Sequence, residues 1–99
     1  MMPPVVLLDT AEADLADAKN WCRNCDWRLE ADFLLCIEEA FDRIARHPNA
    51  FAALEGDFRS AIVHRFPFRV IYRLDGGQII VVAILHTSRH PRTWLARGH

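Results

Sequence analysis

Apolar positions along this chain fall into two helix-like stripes followed by strand-like alternation, and that order predicts its architecture. Val5-Val6-Leu7-Leu8 is a short aliphatic run that stops at Asp9-Thr10, as a buried strand would. Ala11, Leu15, Ala18 and Cys22 then recur at spacings of four, three and four, which places them on one helix face with Glu12, Asp14, Asp17 and Lys19 elsewhere on the surface. Asp9 is placed to cap this helix, Glu12 completes a capping box, and the pattern frays near Asn24.

The second helix carries the clearest stripe: Leu29, Phe33, Ile37, Ala40, Phe41 and Ile44 on one side, with Glu30, Asp32, Glu38, Glu39, Asp42, Arg43 and Arg46 left in water. His47-Pro48-Asn49 ends it, because the residue before a proline is pushed out of helical geometry. Two helices joined by a short turn make an αα-hairpin.

From Phe58 the period changes to that of strands. Phe58 to Phe66 alternates in part, and Phe68, Val70, Tyr72 and Leu74 oppose Arg69, Ile71 and Arg73. Phe66-Pro67-Phe68 is a bend, since proline cannot donate within a ladder, and Asp75-Gly76-Gly77 is a tight hairpin turn. Gln78 to His86 is almost continuously aliphatic, the mark of a central strand covered on both faces. The stretch from Asn49 to Asp57 gives only a turn at Glu55-Gly56-Asp57. The expected class is α+β in the order β-α-α-β-β-β, with the helical hairpin packed on a small, mainly antiparallel sheet.

Ninety-nine residues, 52% hydrophobic and 25% charged, make one globular domain over residues 1–99 and exclude a disordered chain. No apolar stretch approaches the roughly 20 residues of a membrane helix, and Met1-Met2-Pro3-Pro4 lacks the basic start of a signal peptide, so a cytoplasmic location without membrane contact is expected. Three cysteines fit reduced thiols better than a disulfide framework.

Charge changes the picture. The first fifty-seven residues hold twelve acids against five bases, about −7, while Phe58 to His99 holds seven arginines against Asp75, about +6. A net charge of −1 therefore hides two faces, and the arginines are expected to gather on one side of the sheet, opposite the acidic helices, as a docking surface for an acidic or anionic partner.

Candidate chemistry is sparser than candidate binding. Cys22-Arg23-Asn24-Cys25 has CxxC spacing, but zinc needs four ligands and a redox pair needs its first cysteine at a helix N-terminus, so incidental thiols and no metal are expected. His86 and His64 fit a general base or a hydrogen-bonding cap on a strand end. Glu38 and Glu39 diverge by about 100° on a helix and read as a solvated face. Trp21 and Trp27 flank the interhelical loop, where packing and partner contact are equally open, whereas Trp94 fits packing against the sheet edge.

An ordered set of pieces runs end to end: Ala11 and Ala13, Trp21, Ile44 and Pro48, Leu54-x-Gly56, Arg59, Arg65-Phe66-Pro67-Phe68, Val70-Ile71-Tyr72-Arg73, and a tail with His86, Arg89, Pro91, Trp94 and Arg97. In these the chain resembles the ParE/RelE superfamily of toxins from type II toxin-antitoxin systems, the plasmid-stabilisation proteins, and more closely its ParE branch. ParE-like toxins inhibit DNA gyrase, so the resemblance implies gyrase as target, a cognate antitoxin as protein partner, contact with DNA only through that antitoxin, and no cofactor. RelE-like toxins instead cleave messenger RNA in the ribosome, with general acid, general base and cations around the phosphate. That alternative would use Arg65, Arg69, His86 and Arg89, of which Arg69 and Arg89 match positions where RelE-like toxins carry arginine.

Departures weigh against the nuclease. Ser60-Ala61-Ile62-Val63-His64 has no lysine where RelE-like proteins present several, and Trp94 stands where a catalytic tyrosine would lie. The residues expected to contact antitoxin or target are Arg59, Arg65, Arg69, Arg73, Arg89, Trp94 and Arg97. A third reading is an inactive, toxin-like binding module that serves as half of a DNA-binding autoregulatory complex.

Overall fold

In the computed structural model, which describes residues 2–88, the chain runs β1 (Val5–Leu7), α1 (Asp9–Cys25), α2 (Leu29–Arg46), β2 (Ala52–Ala53), β3 (Arg59–Ile62), β4 (Phe68–Asp75) and β5 (Gln78–His86). The strands form one sheet in the order β1-β5-β4-β3-β2. Only β1 and β5 are parallel; the other three pairings are antiparallel. The expected β-α-α-β-β-β order is therefore present, with β2 added inside the stretch that the sequence left as a linker. Two alanines carry no periodicity, and their pairing with Ser60 and Arg59 is a tertiary effect.

Both helices lie on one face of the sheet. From α1 come buried Ala11, Ala18 and Cys22, and from α2 come Phe33, Ile37, Ala40 and Ile44. Small residues on α1 let it approach the sheet closely, and Phe33 fills the space beneath α2 by meeting Phe66 and Phe68 edge-on, with ring centroids 5.2 and 5.4 Å away. Val70, Tyr72, Ile79, Val81 and Ile84 complete this cluster. A second cluster, Phe58, Ile71, Ile80, Val82, Ala83 and Leu85, is buried on the opposite face.

The helix start differs from the expected one. Leu8, not Asp9, is the N-cap, and no side chain caps the helix; the Glu12 amide donates to the Leu8 carbonyl at 2.9 Å. Asp9 already lies within the first turn, where its negative charge still suits the helix dipole.

β5 is covered on both faces as expected, yet the middle of the sheet is β4. The aliphatic run of β5 has a cause beyond burial. Ile71 pairs with Ala83 and Tyr72 with Val81, so Val82 is an extra residue in the ladder. This bulge puts Val82 and Ala83 in the same far-side cluster, and strict alternation is lost there. At the other end of the hairpin Gly76 and Gly77 have φ of 58° and 79°, the pair of positive values that a two-residue type I′ turn demands.

Candidate functional site

The turn from β3 to β4 brings the basic half of the chain against α2. Pro67 sits at the centre of a tight turn in which the Phe68 amide donates to the Phe66 carbonyl at 2.8 Å. Arg65 adopts φ of 70°, a left-handed geometry that costs a branched or long side chain energy. Its guanidinium lies 3.6 Å from Asp32 on α2 and 5.9 Å from the centre of the Phe66 ring. The same seam is fastened by Arg43, which pairs with Glu39 and donates to the Ile62 carbonyl at 2.8 Å. Glu39 is therefore half-buried and partnered, and the solvated face expected of Glu38 and Glu39 belongs to Glu38 alone.

The arginines do not share one face, and the single docking surface expected from charge needs that correction. Arg59 pairs in register with Tyr72, on the helix side, and donates to the Phe51 carbonyl at 2.8 Å. Arg69 and Arg73 alternate with Phe68, Val70 and Tyr72, so they stand on the far side, flanking Ile71. Period two in a strand separates neighbours by face, and the charge count along the sequence ignores it. Arg73 reaches Asp75 at 2.7 Å. The Nε atoms of Arg69 and Arg73 are both buried with no hydrogen-bond partner among the described residues. Arg89, Trp94 and Arg97 lie outside the described residues.

At the opposite end, α1 finishes the edge of β5 that β1 leaves open. β1 pairs only as far as Val81; beyond it the Leu8 amide donates to the Val81 carbonyl, the Thr10 hydroxyl to the Val82 carbonyl at 3.2 Å, and the Ile84 amide to the Asp14 carboxylate at 3.1 Å. Asp14 is thus no surface acid. Its spacing of three from Ala11 and four to Ala18 put a carboxylate in the apolar stripe, and that was the signal in the sequence. Asp14→Ala is expected to cost about 1–3 kcal/mol, because it strands the Ile84 amide, and to lower the melting temperature by roughly 4–8 °C per kcal/mol. An unchanged melting curve would mean that another acceptor serves that amide.

His86 ends β5 beside Trp21 and Phe68, and the three rings meet edge-on at 5.2 to 5.5 Å. The Ser88 amide, which can only donate, points at Nδ1 from 3.1 Å, and the Ser88 hydroxyl lies 2.8 Å from the same atom. Nδ1 is therefore the acceptor, and the neutral ring carries its proton on Nε2. Of the candidate nuclease groups, His86 lies with Phe68 on the helix side, Arg69 on the far side, and Arg65 beside Asp32. They do not converge on one point.

The tip of the helical hairpin is held by Asp26, which accepts from the backbone amide and the guanidinium of Arg28; these bonds keep its carboxyl below the usual carboxylate range. That turn leaves Trp27 75% exposed, whereas Trp21 is 40% exposed and packed on Phe68. Cys22 is buried and Cys25 exposed, both as free thiols. Among the described residues, no three His, Cys, Asp or Glu side chains group to hold a metal ion, and no helix is long and apolar enough to cross a membrane. Tyr72, which strand alternation groups with Phe68, Val70 and Leu74, donates its hydroxyl to the Pro48 carbonyl at 2.7 Å and ties β4 to the end of α2.

Comparison with known proteins agrees with this architecture. The chain is similar to a toxin-antitoxin structure described as the chromosomal ParDE system from P. aeruginosa, with a TM-score of 0.63, 15% identity, and 86% of this chain and 96% of that one covered. It is also similar to the RelBE2 toxin-antitoxin complex from Mycobacterium tuberculosis, with a TM-score of 0.59, 23% identity, and 87% and 99% coverage. No curated protein matches the sequence. At these identities the solved structures speak for the fold. The family is carried by residues 5–91, which match the ParE toxin of the type II toxin-antitoxin system parDE, and the chain belongs to that family.

Proposed function

We propose that this toxin acts in the cytoplasm on DNA gyrase without catalysing a reaction of its own, and that a cognate antitoxin holds it silent. The observation that carries the antitoxin reading is the pair Arg69 and Arg73. Among the described residues each Nε is buried without an acceptor, and of the two guanidinium groups only that of Arg73 has a carboxylate, Asp75, on another nitrogen, so a carboxylate brought by a partner would stabilise this pair. The far side of β4 is therefore the preferred antitoxin contact, with Arg59, Arg65, Arg89, Trp94 and Arg97 as further contact candidates for antitoxin or target. DNA is reached only through the antitoxin.

Gyrase is favoured over the ribosome because of where the nuclease candidates lie. Phosphate cleavage needs acid, base and cations around one phosphorus. His86, Arg69 and Arg65 occupy two faces and a turn instead. Induction of the chain in a bacterium is expected to produce filamentation and a DNA-damage response while messenger RNA stays intact, with Arg89→Ala weakening the effect and His86→Ala leaving it. Rapid translation arrest with messenger RNA cut at codon positions would replace gyrase by the ribosome as target. Absence of any growth defect from a folded chain would favour the inactive binding module.

A further inference from the structure

A cleft of about 410 Å³ opens between α1 and the end of β5, with Asp14, Asp17, Trp21, Phe68, His86 and Ser88 in its lining. Among the described residues, none of the proposed antitoxin or target contacts lines it. Asp17 and Trp21 are one helical turn apart on α1 and so face the same way. The Asp17 carboxylate has no hydrogen bond or ion pair with the described residues, and Trp21 leaves part of its indole open. His86 adds a third ring to the wall. An aromatic wall beside an unpaired carboxylate attracts a cation, and a planar guanidinium satisfies both at once by stacking on the ring and pairing with the acid in a forked contact.

We propose that this cleft is a pocket for an arginine side chain of a protein partner. Arginine is preferred over lysine because a compact ammonium cannot stack on the indole and is more strongly hydrated. The cleft volume lies within the range of pockets that enclose small groups, so a single side chain can enter and leave its backbone outside. Charge complementarity also gives this face a role distinct from that of Arg69 and Arg73. The far side of the sheet takes a partner's acids and this end takes one of its bases, so two contacts of opposite sign fix the partner's direction along the toxin. That the partner is the antitoxin rests on the function proposed above; the ligand chemistry of the pocket does not.

The test uses the full chain without antitoxin. N-acetyl-L-arginine amide is titrated into labelled protein, and the Trp21 indole and His86 ring signals are followed by nuclear magnetic resonance. The expected result is a saturable shift confined to this cleft, with a dissociation constant of about 1–10 mM. The neutral isostere N-acetyl-L-citrulline amide should bind at least about 10-fold more weakly, because it keeps the shape and loses the charge. Asp17→Asn, a change at an exposed position, should weaken arginine binding about 5- to 10-fold without altering the melting temperature. Because Arg89 follows Ser88 in the chain, Arg89→Ala is titrated in parallel. A response seen only in that variant would assign the pocket to the chain's own arginine and overturn the partner. Equal binding of arginine and citrulline, or no response in either protein, would overturn the pocket. Loss of toxicity or a nuclease phenotype would alter neither measurement, so failure of this proposal and failure of the functional reading stay distinguishable.

Discussion

Phe33→Ala is expected to remove about 3–5 kcal/mol of stability, the largest loss from any single truncation in the helix layer. Phe33 is fully buried, and its ring meets both Phe66 and Phe68, the two residues on either side of the Pro67 turn. Deleting its ring opens a cavity between α2 and the turn and releases the segment that carries Arg65 and starts β4. A domain of this size has only about 5–15 kcal/mol to lose, so the variant should sit near its unfolding transition at ordinary temperature. Urea unfolding followed by tryptophan fluorescence reads this directly. Phe33→Leu keeps most of the volume and should cost less than half as much. A loss under about 1 kcal/mol in Phe33→Ala would mean that α2 closes onto the sheet without it. The variant also calibrates toxicity: loss of killing there reports unfolding, and only variants that melt normally can assign a residue to target contact.

The apolar stripes of both helices, the bend at Pro67, the Gly76-Gly77 turn and the two-faced burial of β5 were all legible in the sequence, because each rests on a local period or on a residue with restricted backbone. The elements that escaped depend on distant pairing. β2 exists because Ala52 and Ala53 lie beside Ser60 and Arg59, and nothing in two alanines encodes that. The bulge at Val82 is invisible where every residue is aliphatic, since a shift of one position changes face without changing polarity. Asp14 was misplaced for a related reason. A carboxylate in an apolar stripe reads as surface until the open edge of β5 supplies the amide that it accepts.

The candidate site was legible in kind more than in place. The excess of arginine in the second half is real, yet charge summed along a chain cannot tell a residue from its neighbour across a strand. Arg59 and Arg73 flank β4 on opposite faces because the first pairs with Tyr72 and the second follows it. Several acids of the first half meet cations of their own half: Glu30 with Arg23, Glu39 with Arg43, and Asp42 with Arg46. Such pairs, exposed or only half-buried, contribute about 0–1 kcal/mol each, and their main effect is to leave less free negative charge on the helices than the count suggests. Asp17 is among the acids left over, and it lies in the cleft beside Trp21.

Raising the pH should lower the stability of this protein over two overlapping windows. Burial disfavours the thiolate of Cys22 and the phenolate of Tyr72. It pushes the thiol from 9.0 up to about 11, helped by Cys25, and the phenol from 10.0 up to about 12 against the pull of Arg59. Each group therefore holds its proton more tightly in the folded chain than in the unfolded one. Its contribution is complete below the unfolded value and disappears as pH climbs to the folded value: from about 9 to 11 for Cys22 and from about 10 to 12 for Tyr72. Each gap sets an upper bound of about 2–3 kcal/mol on that group's contribution. The composition makes the experiment clean, because Tyr72 is the chain's one tyrosine and Lys19 its one lysine. Near-ultraviolet phenolate absorbance reads Tyr72 alone, and guanidinium groups keep their charge throughout. In urea titrations at stepped pH, Cys22→Ala should flatten the first part of the decline and Tyr72→Phe the second. Tyr72→Phe should also lower stability at neutral pH by about 1 kcal/mol, since the Pro48 carbonyl loses its donor. Phenolate absorbance that rises at the ordinary tyrosine pH while the fold persists would show that the hydroxyl is open to water, and the tie between β4 and the end of α2 would then contribute little.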